Sequence, residues 1–577
     1  MKISNISLLL IFVLGSLSQS CSNENFKSDN YETQNEINNE ESKTIESLDL
    51  KEADKFKLKF GRAMALAIKE SPELRRFIKT EALKKFNKDY DVLYHAVKDK
   101  PVNYRLKTNA KNSSVATLSG LVESYFKDKN ELAQIEQQLP LLTIFVPELP
   151  ENSFSAETWD PNDDEQIPVV AIRLETTNEV PMIDAVNSYE YVLEQDLVPG
   201  YPVIVIKNNE RLAVNNGNNN FGRSTEILNT SGGQSYRFLD DNMNAELSIF
   251  EPIDIDDGNG GGGGGGGSGS CNPPATIISG RQNNVEQFLK TAYNVFDGNV
   301  SQPWHRDNIY YQLTPTQTTN TYVGGKYLEA ITYFKLQGDA ELVFNRMANQ
   351  TNGSNLDPQR ANQNWERERR VPWTDGNFEI GISITDNAKN RPNINFTLAF
   401  NARPDDLFTY THESVVRRRG AWPVRWKRTY WRPVISDFKG LDFTSADINA
   451  TVLHIHAWDL TEYSNIWNLE IKEIDFTTEI STKTSNVKKY NTNVNVDTSI
   501  PLGDKIKVGL KFGASTEETN SSERTQKWVE GSDILGRMEI PFSDQVLIKN
   551  PCDNQLYPRI YRNSSSMLEM RPVQVQF

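Results

Sequence analysis

The spacing of apolar residues along the chain predicts helices first and strands afterwards. Between about residue 55 and residue 138, apolar side chains recur at helical spacing, which predicts amphipathic helices. The first helix is marked by Phe56, Phe60, Met64, Leu66 and Ala67. A second helix is predicted to begin after Ser71, because serine is a common N-cap and Pro72 then takes the first helical position. Its apolar face is expected to consist of Leu74, Phe77, Ile78 and Leu83.

Beyond Pro140 the pattern changes to short segments rich in β-branched residues. Segments of this kind span residues 142–146, 169–174 and 203–207, and they predict β-strands. Together with the helices that precede them, these strands predict an α+β domain over residues 55–250.

The last part of the chain, residues 271–577, is predicted to be an all-β, β-sandwich-like domain. Its apolar segments, such as residues 378–384 and 394–400, are separated by turns rich in Asn, Asp, Gly and Pro. One short helix is expected from about Val285 to Phe296.

An extended hairpin is predicted as an insertion in this domain, at about residues 480–530. Apolar and polar residues alternate with period two over residues 490–497 and again over 505–512, on either side of a turn at 501–504. Pore-forming proteins insert hairpins of this kind into membranes. A crossing strand needs about 9 to 11 residues, however, so the length of the alternation favours a half-buried soluble hairpin.

A glycine-rich segment at residues 258–270 separates the two predicted domains. An uninterrupted glycine run has high backbone entropy and no side chains to pack, which predicts a flexible linker. A phosphate-binding loop is excluded because no apolar strand leads into the run and no Lys-Ser or Lys-Thr pair ends it. The sequence therefore predicts a multidomain protein with an N-terminal α+β domain, a glycine-rich linker and the C-terminal domain.

Composition removes several classes of function. The chain of 577 residues has 62 basic and 77 acidic side chains and a net charge of -15, which argues against general nucleic-acid binding. Three cysteines and five histidines are too few for a disulfide-dense scaffold or a four-cysteine zinc site. Common hydrolase and nucleotide-binding motifs are absent from the sequence, so a non-enzymatic role is favoured. A hydrolase site assembled only in three dimensions stays open.

The N-terminus predicts export. Lys2 precedes an apolar stretch from Ile6 to Leu14, which is too short to span a bilayer and predicts a signal peptide over residues 1–20. The sequence LSQSC, which ends at Cys21, resembles the lipobox of bacterial lipoproteins. The resemblance implies that Cys21 is acylated and holds the protein on a membrane. An ordinary signal, which leaves Cys21 unmodified, is the alternative.

Residues 21–54 are rich in Asn, Glu and Ser and are predicted to form a disordered acidic tether. In lipoproteins of the Bacteroidota, acidic residues just after the cysteine direct export to the outer face of the outer membrane, and Glu24 and Asp29 resemble such a signal. The implied location is the outer membrane, on its periplasmic or its cell-surface face.

The other two cysteines bracket the C-terminal domain. Cys271 follows the glycine run and Cys552 lies near the C-terminus. An exported protein can form disulfides, and a bridge that closes so long a loop would stabilise the fold by roughly 4 to 5 kcal/mol. We therefore predict a disulfide between Cys271 and Cys552, with two isolated buried thiols as the alternative.

Two stretches near the C-terminus carry a family resemblance. Residues 467–476 (WNLEIKEIDF) and 531–541 (GSDILGRMEIP) resemble the last strands of calcium- and phospholipid-binding β-sandwich domains of the synaptotagmin type. The resemblance implies a β-sandwich, with Glu473, Asp475 and Asp533 at the positions of calcium-coordinating carboxylates. Acidic residues at strand ends are also common as solvated turn residues, which is the alternative.

A basic and aromatic block at residues 417–432 is unusual in so acidic a protein. Guanidinium groups bind carboxylate or phosphate, and indole rings stack on sugars. The predicted ligand-binding residues are Arg417, Arg418, Arg419, Trp422, Arg425, Trp426, Arg428 and Trp431. In the alternative interpretation, the tryptophans fill a core and the arginines pair with carboxylates of the same protein.

Three functional hypotheses follow. The first is a lipid-anchored, non-enzymatic envelope protein that binds an anionic glycan or protein through the basic block. The second is a membrane-perturbing or pore-forming protein that uses the hairpin. The third is a calcium-dependent lipid-binding module.

Overall fold

The computed structural model describes most of the chain between residues 44 and 574. The described residues are 44–105, 115–128, 130–175, 179–215, 227–230, 233–238, 243, 253–255, 272–296, 305–310, 326–348, 372–386, 394–420, 425–443, 453–458, 463, 466–474, 480–486, 494–495, 511–512, 523–529, 533–542 and 544–574. The predicted signal peptide, the tether before residue 44 and the predicted linker lie outside them.

Helices and short strands make up the described residues as far as 255. The helices are α1 (Glu52–Glu70), α2 (Pro72–Ala82), α3 (Tyr94–Val97), α4 (Leu118–Glu123) and α5 (Asn130–Gln138). The strands are β1 (Asp91–Leu93), β2 (Pro101–Arg105), β3 (Val115–Thr117), β4 (Leu142–Phe145), β5 (Val169–Ile172), β6 (Val180–Asp184), β7 (Tyr189–Leu193), β8 (Val198–Pro199), β9 (Val203–Asn208), β10 (Leu212–Val214), β11 (Ile227–Asn229), β12 (Ser235–Phe238) and β13 (Ile253–Ile255).

The start of α2 confirms the prediction made from its sequence. The hydroxyl of Ser71 accepts a hydrogen bond of 3.0 Å from the backbone N–H of Leu74, which caps the helix, and Pro72 is its first residue. Leu74 and Ile78 are fully buried. Leu66 of α1 and Leu83, which follows the end of α2 at Ala82, are exposed, so the prediction that they belong to the apolar faces is wrong.

A six-stranded sheet forms the centre of this part, in the order β1-β4-β9-β5-β6-β7. The β5–β9 pair is parallel and the other pairs are antiparallel. Helix α1 packs on β5 and β6. The central strands β4, β5 and β9 are buried along their whole length, which explains why they were predictable as continuous apolar runs.

Two predictions for the N-terminal part need correction. Residues 55–138 are not wholly helical, because β1 pairs with β4 and β2 pairs with β3 inside this range. Ordered structure also begins before the predicted end of the tether at residue 54. Ile45 is buried, and α1 already starts at Glu52. Both differences arise from contacts with distant residues, which local spacing does not reveal.

Strands dominate the described residues from 272 onward, with short helices between them. The helices are α6 (Gln287–Phe296), α7 (His305–Tyr310), α8 (Ala340–Met347) and α9 (Pro404–Leu407). The strands are β14 (Tyr327–Leu336), β15 (Phe378–Asp386), β16 (Ile394–Ala402), β17 (Phe408–Arg419), β18 (Trp426–Phe438), β19 (Gly440–Asp442), β20 (Leu453–His454), β21 (Ile466–Glu473), β22 (Ile480–Asn486), β23 (Val494–Asn495), β24 (Lys511–Phe512), β25 (Glu523–Val529), β26 (Asp533–Pro541), β27 (Leu547–Lys549), β28 (Leu556–Pro558), β29 (Ile560–Arg562) and β30 (Ser566–Gln574).

Two sheets of this part share a sandwich-like core. One sheet has the order β13-β19-β14-β30-β29, with β20 also paired to β14, and the other has the order β16-β15-β21-β26. Aromatic rings join the two sheets. The ring of Phe400 on β16 lies 5.4 Å from Phe334 on β14 and 5.0 Å from Phe443, which follows β19.

The C-terminal part is β-rich but not all-β, which corrects the prediction. Helix α6 lies where a helix was expected, whereas α7, α8 and α9 were not predicted. In α8 the apolar Val343, Phe344 and Met347 are buried in the core of the β-sheets, so packing rather than a long helical pattern stabilises this short helix.

The two parts of the chain also share strands. Strand β8 pairs with β18, and β13 pairs with β19. Residues from Lys43 to Phe577 form one compact unit. The predicted domain boundary falls at residues outside the described part of the chain.

Strand pairs are nested within the predicted hairpin insertion, between β21 and β26. Strands β22 and β25 pair over seven residues, from Ile480 opposite Val529 to Asn486 opposite Glu523. Nearer the predicted turn, Val494 pairs with Phe512 and Asn495 with Lys511. The predicted pairing of the two limbs is therefore observed between β23 and β24. The pair β22–β25 lies farther from the turn than the apolar alternation indicated.

Candidate functional site

A buried arginine lies where the N-terminal and C-terminal parts meet. The guanidinium of Arg211 donates to the Asp89 carboxylate at 3.1 Å and to the Glu379 carboxylate at 2.6 Å. It also donates to the backbone carbonyl of Asn87 at 2.6 Å. Asp89 precedes β1 and Glu379 lies on β15, so one side chain fixes the two parts relative to each other.

A buried lysine continues the same network. The ammonium of Lys207 on β9 lies 3.2 Å from Asp91 and 2.6 Å from Glu210, and it donates to the backbone carbonyl of Asp375 at 2.8 Å. The side chain of Asp375 in turn accepts from Arg173 at 2.8 Å. We call these residues, with Asp89, Arg211 and Glu379, the junction network.

Carboxylates outnumber cations in the junction network, and this imbalance shapes its electrostatics. Burial raises the pKa of Asp91 and Glu210, since little water remains to stabilise their charges. Burial also raises the pKa of Glu379 to about 7, although the charge of Arg211 opposes the shift. A proton on Glu379 therefore relieves part of the negative excess in neutral or mildly acidic solution.

Sequence reasoning missed the junction network. Asp91, Lys207 and Glu379 lie within strands, and the other residues of the network lie close to the ends of strands. Charged residues within and beside buried strands were the signal in the sequence from which the network could have been found. The Lys207–Glu210 pair is local, but the pairs of Arg211 with Asp89 and Glu379 and of Lys207 with Asp91 join residues more than a hundred positions apart, so no local motif identifies them.

The predicted basic and aromatic block forms the hairpin β17–β18. On its inward face, Arg419 pairs with Glu194 and donates to the hydroxyl of Tyr430 at 2.7 Å. Arg428 pairs with Asp184 at 2.6 Å. Arg432 pairs with Asp196 in the same way, at 2.7 Å. Arg419 and Arg428, which were predicted to bind a ligand, are therefore engaged by carboxylates of this protein.

The outward face of the hairpin has a different character. Arg418 and Lys427 are exposed and stand directly opposite each other in the strand register. Arg425 is also exposed, and the Nε of Arg417 lies 3.9 Å from Glu194. Like charges directly opposite each other across a strand pair are destabilising, and among the described residues no ion pair offsets the charge of Arg418 or Lys427. We call Arg418, Arg425 and Lys427 the basic tip.

The tryptophans of the block pack against the protein. The ring of Trp426 lies edge-on to Tyr189 at 5.6 Å, and Trp431 packs against the N-terminal core. Both side chains are only partly exposed. Trp422 lies outside the described residues. The indoles that are described therefore follow the alternative interpretation, in which they contribute to packing.

The predicted calcium residues are only partly described. Glu473 and Asp533 are register partners at the end of the β21–β26 pair, and Glu473 is buried. Asp475 lies outside the described residues. No group of three or more His, Cys, Asp or Glu side chains suited to a metal ion occurs in the described part of the chain. Calcium binding stays a prediction.

Cys552 is disulfide-bonded. Cys271 and Cys21 both lie outside the described residues, so the predicted pairing of Cys271 with Cys552 and the predicted acylation of Cys21 stay predictions.

No family model matches the chain, and no curated protein or solved structure is significantly similar to it. None of the helices in the described ranges is long and apolar enough to span a membrane.

Replacing Gly376 by alanine should destabilise the junction. Gly376 has φ +94°, and a Cβ at this position would lie 2.0 Å from the Asp89 carboxylate. Gly233→Ala is the matched control, because Gly233 has φ +80° but open space around it. In urea unfolding we expect Gly376→Ala to lower the free energy of unfolding by at least about 2 kcal/mol more than the control. Equal losses would contradict the role of the close approach.

Glu379→Gln should change how stability depends on pH. The pKa of Glu379 rises from its ordinary value of 4.5 to about 7 in the folded protein. Between these values the folded state holds a proton that the unfolded state has lost, so stability falls as pH rises through this window. Glutamine cannot ionise. Between pH 5 and pH 8, the free energy of unfolding measured in urea should fall by on the order of 1 to 3 kcal/mol more for wild type than for the variant. Parallel curves would contradict this assignment.

Proposed function

We propose that the protein is a lipid-anchored, non-enzymatic protein of the outer membrane that binds an anionic glycan through the basic tip. The lipobox-like sequence that ends at Cys21 supports the anchor. The anchor and tether would hold the folded part close to the membrane, on its periplasmic or its cell-surface side. Partners in this setting include polysaccharides that carry carboxylate, phosphate or sulfate groups.

The observation that supports binding at the basic tip is the contrast between the two faces of one hairpin. The inward arginines pair with acidic residues that border β6, β7 and β8. The outward residues Arg418 and Lys427 face each other, although the protein has abundant carboxylates. A like-charged pair of this kind costs stability, and a bound anion would offset that cost.

The position of the basic tip suits an extended partner. Strands β17 and β18 span 12 and 13 residues, and β8 pairs with β18 only at Tyr430 and Trp431. Beyond that point the hairpin has no further strand partner among the described residues. Guanidinium groups bind planar anions through two hydrogen bonds, and such exposed contacts weaken as salt rises.

Replacing Arg418, Arg425 and Lys427 together by glutamine should weaken binding to a polyanion. We expect the variant to elute from dextran sulfate beads at lower salt than wild type, with about tenfold weaker affinity, because three exposed charges are lost. Neutral dextran beads test for retention independent of charge.

The matched control replaces the exposed Lys51, Lys127 and Lys549 by glutamine, which gives the same change in net charge. Its elution should stay close to that of wild type. If both triple variants elute alike, total charge accounts for the retention, and the basic tip is not the binding surface.

A second candidate function, membrane perturbation by the hairpin insertion, is favoured by the nested strand pairs. The described pairs join Ile480–Asn486 to Glu523–Val529 and Val494–Asn495 to Lys511–Phe512. These pairs lie on both sides of the predicted turn, as a hairpin requires, although each is shorter than the roughly 9 to 11 residues that a membrane-crossing strand needs.

Dye release from anionic lipid vesicles tests this candidate in the full chain. If the hairpin inserts, wild type should release dye, and Val494→Asp with Val496→Asp should abolish the release, because both positions belong to the apolar set of the alternation. The control, Asn493→Asp with Asn495→Asp, changes the polar set and should retain release. Intact vesicles with wild type, with and without calcium, would refute the candidate.

A further inference from the structure

A cavity of about 510 Å³ lies beside the junction network, and none of the residues of the basic tip lines it. Its walls come from the loop after β4, from the turn before β15, and from α9 with the start of β17. Asp89 of the junction network lines the cavity, and so does Gly376, which follows Asp375 of the same network. The volume is in the range of small-molecule sites.

Aromatic side chains line one side of the cavity. They are Phe145, Phe344, Trp373, Phe408 and Tyr410. The rings hold one another in place: Phe344 lies 5.0 Å from Phe408, and Tyr410 lies 5.1 Å from His412, both edge-on. Aromatic faces held in this way attract cations.

The lining of the cavity also includes a loop in an unusual backbone conformation. Glu151 and Asn152 both have positive φ, 55° and 53°, which is uncommon for residues other than glycine. A bridge between Leu149 and Phe154 closes the loop. This geometry places the Glu151 carboxylate 3.5 Å from the imidazole of His412. Strained conformations of this kind cluster at binding sites.

The charge that lines the cavity is predominantly negative. Glu148, Glu151 and Asp405 lie in the wall, together with Asp89, which already pairs with Arg211. Arg403 and Lys439 are the cations in the wall, and Arg403 pairs with Asp406 at 3.0 Å and with Asp405 at 3.4 Å. Burial lowers the pKa of His412, so its imidazole adds no positive charge at neutral pH.

Glu148 is the carboxylate available to a ligand. It makes no hydrogen bond or ion pair within the described ranges of the chain, and it is exposed toward solvent. The surrounding walls and the nearby charge of Asp89 raise its pKa, and burial likewise raises the pKa of Asp405. Both carboxyl groups are therefore harder to ionise here than in water, and a bound cation would stabilise their charged form.

We infer that this cavity binds a small organic ammonium ion, with the cation between the Glu148 carboxylate and the aromatic wall formed by Trp373, Phe408 and Tyr410. The carboxylate neutralises the ligand's charge, and the ring faces contribute cation–π attraction. A neutral ligand would leave the negative excess uncompensated, and an anion would be repelled by Glu148, Glu151 and Asp405.

Calorimetric titration of the full chain tests the inference with two matched pairs of probes. Choline is compared with its neutral carbon analogue 3,3-dimethylbutan-1-ol, and glucosamine is compared with glucose. At least one ammonium probe should bind more tightly than its neutral counterpart. Glu148→Gln should weaken that binding about tenfold, whereas Glu165→Gln, at an exposed position outside the cavity, should not.

Proton release gives a second readout, which a merely structural role for Glu148 would not produce. A bound cation stabilises the carboxylate, so binding in mildly acidic buffer should release protons, and the measured heat should depend on the ionisation enthalpy of the buffer. Glu148→Gln should remove this dependence. The inference is overturned if neither ammonium probe binds better than its neutral counterpart, or if Glu148→Gln, with an unchanged thermal midpoint, binds as wild type does.

Discussion

The buried ion pairs of Arg211 are the interaction on which the arrangement of this protein depends. A guanidinium without access to water is tolerated only when its charge and its donors are satisfied, and here Asp89, Glu379 and the carbonyl of Asn87 satisfy them. Removing one partner from such a pair typically costs about 3 to 5 kcal/mol, because the remaining charge stays buried. The contact between the two parts of the chain is therefore specific: a shift of the C-terminal part would remove Glu379 from Arg211 and leave one of its buried donors without a partner.

The same principle positions the hairpin β17–β18. Its inward arginines meet Glu194, Asp184 and Asp196, which border strands of the N-terminal part. The sequence places a basic block in the C-terminal part of an acidic protein. The structure shows that much of this contrast is compensated within the molecule. The net charge of the chain thus gives little information about partners until the paired charges are separated from the unpaired ones.

Local features of the sequence predicted those elements that local interactions define. The cap at Ser71 and the buried runs of β4, β5 and β9 were found because each depends on its own residues. Strand β1 was missed because only three residues form it and β4 completes it. The fate of Arg417, Arg418 and Arg419 could not be predicted either. Arg417 and Arg419 lie on one face of β17 and Arg418 lies on the other, and the phase of this alternation depends on the pairing of β17 with β18, including the irregularity between Thr409 and Tyr410.

The junction also determines which acidic groups a ligand can reach. Asp89 lines the cavity, but it accepts hydrogen bonds from Arg211 and from the backbone N–H of Asn377 at 3.0 Å, so its charge is already used. Its negative field still acts on Glu148, whose pKa it helps to raise. The charge of Asp89, which the fold holds in place, thus increases the affinity of Glu148 for positive charge. Because Gly376 has no side chain, the turn before β15 can approach the Asp89 carboxylate closely. Asp89 can therefore line the cavity and pair with Arg211 at the same time. The interaction that fixes the two parts of the chain therefore also sets the electrostatics of the cavity between them.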